Sequence, residues 1–91
     1  MRYHVEYTRR ALRQLGKLDP FAVRRITDWV QYHLEGTENP RQYGKALSGD
    51  RSGEWSYGVG VYRIICLIHD DELVIEAIEI GHRRDVYEHR H

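Results

Sequence analysis

The chain has 91 residues, with 14 Lys or Arg against 14 Asp or Glu and a formal net charge of zero. That length fits one small domain, 1–91, close to the lower size at which a single core holds without staples, and the neutral sum argues against a sequence-independent nucleic-acid binder. Cys66 is the only cysteine and sits in an apolar run, so it reads as a small buried hydrophobe in a reducing cytoplasm. No run approaches the roughly 20 apolar residues of a membrane span, and Met1-Arg2-Tyr3-His4 carries no apolar signal region. A soluble cytoplasmic protein without membrane contact is expected.

The zero sum hides segregation. Residues 1–25 carry seven bases (Arg2, Arg9, Arg10, Arg13, Lys17, Arg24, Arg25) against Glu6 and Asp19, whereas 64–80 carry Asp70, Asp71, Glu72, Glu76 and Glu79 with no Lys or Arg. Because exposed charges are screened beyond about 8 Å at physiological salt, these local patches matter more than the total.

In chain order, Tyr3, Val5 and Tyr7 alternate with His4 and Glu6 as a half-buried strand does. Thr8 offers a helix cap, Ala11, Leu12 and Leu15 make an apolar stripe, and Gly16 ends the helix. Asp19-Pro20 starts a second helix, with Val23, Ile26, Val30 and Leu34 at helical spacing and Gly36 as its stop. Residues 37–54, punctuated by Asn39-Pro40, Gly44, Ser48-Gly49 and Ser52-Gly53, read as a linker with at most a brief extended piece. Glu54 to Val59 resumes strand character, and the glycines around Val59 mark a tight turn or a bulge. Val61 to His69 and Glu72 to Ile80 then form an antiparallel hairpin across Asp70-Asp71. The pattern predicts an α+β domain, β-α-α-β-β-β, with a helical hairpin on one face of an antiparallel sheet and the other face free.

Inside the last hairpin, Arg63 is a permanent cation in a β-branched run and must reach a carboxylate, a surface or an anion. Glu54, Glu76 and Glu79 are the cross-strand acids that would make it purely structural. His82, Arg83, Arg84 and Tyr87 follow the second strand and gather cations and a phenol near Arg63. The six histidines lack metal-ligand spacing, and no phosphate-binding glycine loop, nucleophile elbow or Cys-His pair appears, so neither metal nor cofactor is expected. Cleavage of RNA through its own 2′-hydroxyl needs only a base, cations on the phosphate and a donor for the leaving oxygen, and these residue types supply them. A tyrosine, near pKa ~10 in water, serves as base only where neighbouring cations lower it. Trp55, Tyr57 and Tyr62 are either base-stacking or core residues.

Trp55-Ser56-Tyr57-Gly58-Val59-Gly60-Val61-Tyr62-Arg63-Ile64-Ile65 and Ile80-Gly81-His82-Arg83-Arg84-Asp85-Val86-Tyr87 resemble the RelE branch of the RelE/ParE toxin superfamily, and the likeness extends over essentially the whole chain. The resemblance implies a microbial RNase fold with a short C-terminal helix. It implies a toxin of a type II toxin–antitoxin module that enters the ribosomal A site and cuts mRNA, silenced by a RelB-like antitoxin and reaching DNA only through that antitoxin. By resemblance Arg63 matches the phosphate-holding arginine, Arg83 the arginine at the leaving group, and Tyr87 the general base. Ser56 and Gly58 stand where such toxins carry bases, a departure expected to weaken RNA holding and transition-state stabilisation. Lys45, Arg51 and His82 are the candidate replacements, and Tyr57 and Arg84 complete the expected RNA- and ribosome-binding set. The alternative is a non-catalytic member of the fold, either a gyrase inhibitor of ParE type or a co-repressor bound to its antitoxin.

Overall fold

The structure is a computed structural model and describes residues 1–83. It contains strand β1 (His4–Tyr7), helices α1 (Arg9–Gly16) and α2 (Pro20–His33), a short strand β2 (Lys45–Ala46), and strands β3 (Trp55–Val59), β4 (Tyr62–His69) and β5 (Val74–His82). Both helices begin where the sequence predicts. Thr8 Oγ1 accepts from the Ala11 amide at 3.1 Å, and Asp19 Oδ1 accepts from the Ala22 amide at 2.9 Å. Each such cap contributes about 1 kcal/mol by satisfying an orphan amide.

The strands form one sheet in the order β1-β5-β4-β3-β2. The meander from β2 to β5 is antiparallel, as expected, but β1 pairs with β5 in parallel, from His4 opposite Val74 to Tyr7 opposite Ala77. The sheet is therefore mixed, with β2 as a fifth strand; Lys45 faces Ser56 and Ala46 faces Trp55. The β4–β5 connection runs from Asp70 to Leu73, two residues longer than the sequence reading. The expected C-terminal helix lies outside the described residues.

Alternation along the strands sends Tyr57, Val59, Ile64, Cys66, Ile75 and Ile80 into a core against Ile26, Val30 and Leu34 of the second helix and its end. Each such buried side chain contributes about 1.5–3 kcal/mol. Burial pushes the Cys66 thiol above its ordinary value, which keeps it uncharged and unreactive. A register shift between Ile65 and Cys66 pairs Ile65 with Glu79 but Cys66 with Ala77, leaving Ile78 as the extra residue. This bulge reverses the parity of β5. Ile80 consequently joins Ile75 and Ala77 in the core, while Glu79 and Gly81 face the side away from the helices.

That second face is partly covered. Arg51, in the short 3-10 turn Gly49–Arg51, reaches across to Glu79, and Ile65 beneath is fully buried. At the opposite edge, β1 ends at Tyr7 and leaves the Ile80 amide without a strand neighbour. Gln14 of α1 supplies the acceptor at 2.8 Å.

Candidate active-site groove

The uncovered part of the outer face is built around Arg63. Its cross-strand neighbours are Gly58 on β3 and Gly81 on β5, so no side chain stands on either side of it. The guanidinium lies back over Gly58: a Cβ there would come within 2.9 Å of Nη1 and 3.2 Å of Cζ. Nη1 donates to the carbonyls of Tyr62 at 2.9 Å and Gly60 at 3.3 Å. These bonds fix the head group and leave the Nε and Nη2 edge, a fork suited to a phosphate or carboxylate. Gly44, Lys45, Ser56, Gly58 and Arg63 line a groove of about 260 Å³.

The acids that would neutralise Arg63 are engaged elsewhere. Arg51 pairs with Glu54 and, at 2.7 Å, with Glu79, while His69 Nε2 stands 3.0 Å from Glu76. Among the described residues no carboxylate pairs with Arg63. Among the described residues the groove therefore holds a cation without a carboxylate partner on a floor of glycine, with Lys45 on its rim.

The remaining expected site residues fall in different places. Arg83 follows Gly81 by two positions, and its amide donates to the Val61 carbonyl at 2.8 Å, so it extends the β5 ladder to the end of the sheet where Arg63 lies. His82 is opposite Tyr62, with ring centroids 6.0 Å apart at 75°, and so belongs to the other face from Arg63. Tyr57 is corrected outright as a base-stacking residue. It is fully buried, its hydroxyl donates to the Pro40 carbonyl at 2.6 Å, and burial raises its pKa, so its ring is core. Arg51 is corrected as a free cation. Burial opposes its charge, but the hydrogen bonds of Glu79 and Glu54 more than offset this and hold its pKa above the ordinary value. Arg84 and Tyr87 lie outside the described residues.

Sequence reasoning missed Arg25. Gly60 and Val61 form the two-residue turn between β3 and β4, with Gly60 at φ 60° as a type II′ turn requires at its first central position. The Arg25 guanidinium of α2 rests against this glycine. The only prior signal was the surplus of bases in residues 1–25.

Away from the groove, Arg41 donates to both carboxylate oxygens of Asp70, at 2.9 and 3.0 Å, and the Tyr3 hydroxyl donates to Oδ1 at 2.7 Å. Arg41 first, then Tyr3, holds the Asp70 carboxyl below its ordinary range. This clasp ties the 37–44 segment to the β4–β5 connection. His33 is partly buried: it stacks on Trp29 with centroids 4.6 Å apart, and its Nδ1 meets the Trp29 carbonyl at 3.0 Å. Among the described residues no group of three His, Cys, Asp or Glu is placed to hold a metal, and no helix is long and apolar enough to cross a membrane.

A helical hairpin on a five-stranded mixed sheet is the architecture of RelE-like toxins. It superposes on the toxin–antitoxin complex RelBE2 from Mycobacterium tuberculosis with a TM-score of 0.82 and 28% identity over 91% of this chain and 93% of that one. The isolated RelE toxin of E. coli aligns with a TM-score of 0.70 at 23% identity, covering 96% of this chain and 93% of that one. The YoeB/ParE toxin from Agrobacterium tumefaciens gives 0.65 at 19%, covering 87% and 96%. The last two likenesses show the fold. No curated protein matches the sequence. The sequence model described as ParE toxin of type II toxin-antitoxin system, parDE, matches residues 5–87, and the chain belongs to that family within the RelE/ParE superfamily.

Proposed function

We propose that this toxin is a ribosome-dependent mRNA endonuclease acting in the cytoplasm, without metal or cofactor, and held in check by a RelB-like antitoxin. The observation that carries the reading is Arg63, a charged group with no carboxylate partner among the described residues, fixed by two backbone carbonyls and flanked by glycine on both neighbouring strands. A phosphate settling on its Nε and Nη2 edge meets no intervening side chain from either neighbouring strand. Lys45 adds positive charge from the rim. Charge building on the phosphate as the 2′-oxygen attacks is then met by donors already in place, the condition under which such groups act most strongly. Arg83 at the sheet end and Tyr87 take the leaving-group and base roles implied by the resemblance.

Gly58 acquires a meaning in this reading. The base usually found at its position is absent, and the space is used by Arg63 itself. A site with so few cations depends on the ribosome to orient its substrate, since positioning can supply about 7–11 kcal/mol of a barrier. The solved complexes with antitoxins support an antitoxin partner for this chain. An amphipathic antitoxin segment would lie on exposed apolar surface and set acidic residues on Arg63 and Arg83.

A second reading, a gyrase inhibitor of ParE type, is favoured by the family description and by Ser56 and Gly58. Translation in a cell-free extract separates the two. The nuclease halts protein synthesis at once and leaves purified gyrase supercoiling unaffected. Continued synthesis together with blocked supercoiling would reverse the assignment.

A further inference from the structure

Two guanidinium groups meet at the Gly60–Val61 turn. Arg63, from the open face, donates to the Gly60 carbonyl at 3.3 Å. Arg25 arrives from the helix layer: a Cβ on Gly60 would stand 3.0 Å from its Cζ and Nη2 and 3.2 Å from Nη1. Asp28, the acid nearest in sequence, pairs with Arg24 at 3.8 Å, and among the described residues no carboxylate pairs with Arg25. Like charges brought to one turn, neither paired with a carboxylate among the described residues, raise the local potential and favour an anion there.

The surface behind Arg25 has a second feature. Phe21, Arg24, Arg25 and Asp28 line a shallow depression of about 450 Å³, and Phe21 is 81% exposed on it. Phe21 and Arg25 are four residues apart on α2 and so share a face. An exposed aromatic ring beside a guanidinium that pairs with no carboxylate among the described residues has the two parts needed to hold one unit of single-stranded RNA, the base by stacking and the phosphate by charge.

We propose that Phe21 and Arg25 form a subsite for the nucleotide next to the scissile one. The RNA strand whose reacting phosphate lies on Arg63 crosses the Gly60–Val61 turn, sets the adjoining phosphate on Arg25 and stacks that nucleotide's base on Phe21. The continuity of the turn with the Arg63 groove and the match of charge select RNA as the occupant. The inference rests on the endonuclease reading and assigns substrate holding, not bond breaking, to both residues.

The test measures cleavage of mRNA on programmed ribosomes by the full chain and by Arg25→Ala, Arg25→Lys, Phe21→Ala and Phe21→Trp, each first shown by thermal melting to be folded. Loss of one stacking or phosphate contact should raise KM about 5- to 150-fold for Arg25→Ala and Phe21→Ala, with the single-turnover rate at saturation little changed. The slope of log affinity against log salt should fall by about 0.7 for Arg25→Ala and be restored by Arg25→Lys. A short single-stranded oligonucleotide, 2′-deoxy at the scissile position, should quench the new indole of Phe21→Trp. Unaltered KM and salt slope in both alanine variants, in a protein whose Arg63→Ala variant no longer cuts, would overturn the subsite and leave the nuclease reading standing. Faster release of the antitoxin with unchanged KM assigns the depression to an acidic peptide and also overturns it. Absence of cutting by the unaltered protein sinks both.

Discussion

Replacing Arg51 with Ala removes the cation between Glu54 and Glu79, whose side chains are 22% and 7% exposed. Arg10 stands 4.0 Å from Glu79 and is itself 60% exposed, so it replaces little of the lost attraction. Breaking a buried pair by deleting one partner costs about 3–5 kcal/mol, because the remaining charge keeps its desolvation penalty. Against a total stability of about 5–15 kcal/mol, this is a large fraction. At about 4–8 °C per kcal/mol for a domain of this size, the melting temperature should fall by about 12 °C or more. Thermal and urea unfolding measure the loss. The double variant Arg51→Met, Glu79→Gln should recover most of it, since the deepest charge is then gone as well. A melting temperature within about 2 °C of the unaltered protein, on the scale where one kcal/mol is about 4–8 °C, combined with weakened RNA cutting, would show that Arg51 serves the substrate and that its structural assignment is wrong.

Gly58→Ala places a Cβ 2.9 Å from Arg63 Nη1, at the mobile end of a side chain, so the guanidinium shifts while the fold holds. Displacements near 1 Å can cost about 100-fold in rate, and cleavage should fall by at least tenfold of that range with the melting temperature nearly unchanged; full activity would mean that the position of Arg63 over Gly58 is irrelevant. Tyr57→Phe leaves the Pro40 carbonyl unsatisfied in the core and should cost about 1–3 kcal/mol in urea unfolding. No loss there would contradict the reading of Tyr57 as a structural residue. The Asp70 clasp predicts a pH effect. Because Arg41 and Tyr3 depress the folded carboxyl, its contribution is full above the unfolded value of about 3.9 and is lost as pH falls through the lower folded value. Melting curves of the unaltered protein and Asp70→Asn should thus differ between pH 5 and 8 and converge toward pH 2, whereas a constant gap would remove the clasp from the account.

The elements with strong local signals were legible in the sequence. Thr8 and Asp19-Pro20 set the helix starts because capping is decided by adjacent residues, and the Ile- and Val-rich runs announced β4 and β5. Strand β2 was legible only as the brief extended piece allowed within 37–54, and its place was hidden: two exposed residues, Lys45 and Ala46, have no periodicity, and their pairing depends on Gly44, which at φ +76° lets the chain pass where a Cβ would clash with the Ser56 carbonyl. The parallel pairing of β1 was equally hidden, since it joins the two ends of the chain. In the site, Arg63 stood out as a charge in an apolar strand. The bulge that sends Glu79 outward to Arg51 leaves no mark in the sequence pattern, and the register it sets is what separates Glu79 from Arg63. Arg25 escaped notice because helix-face periodicity marks it as solvent-exposed, and only the turn at Gly60 brings it beside Arg63.

Primer extension on an mRNA translated in a cell-free extract reads out the proposed endonuclease at single-nucleotide resolution. Cuts should be confined to codons in the ribosomal A site, abolished by Arg63→Ala and strongly reduced by Arg83→Ala and Tyr87→Phe, with all four proteins folded. Cuts that persist unchanged in Arg63→Ala, or an mRNA left intact while translation continues, would contradict it.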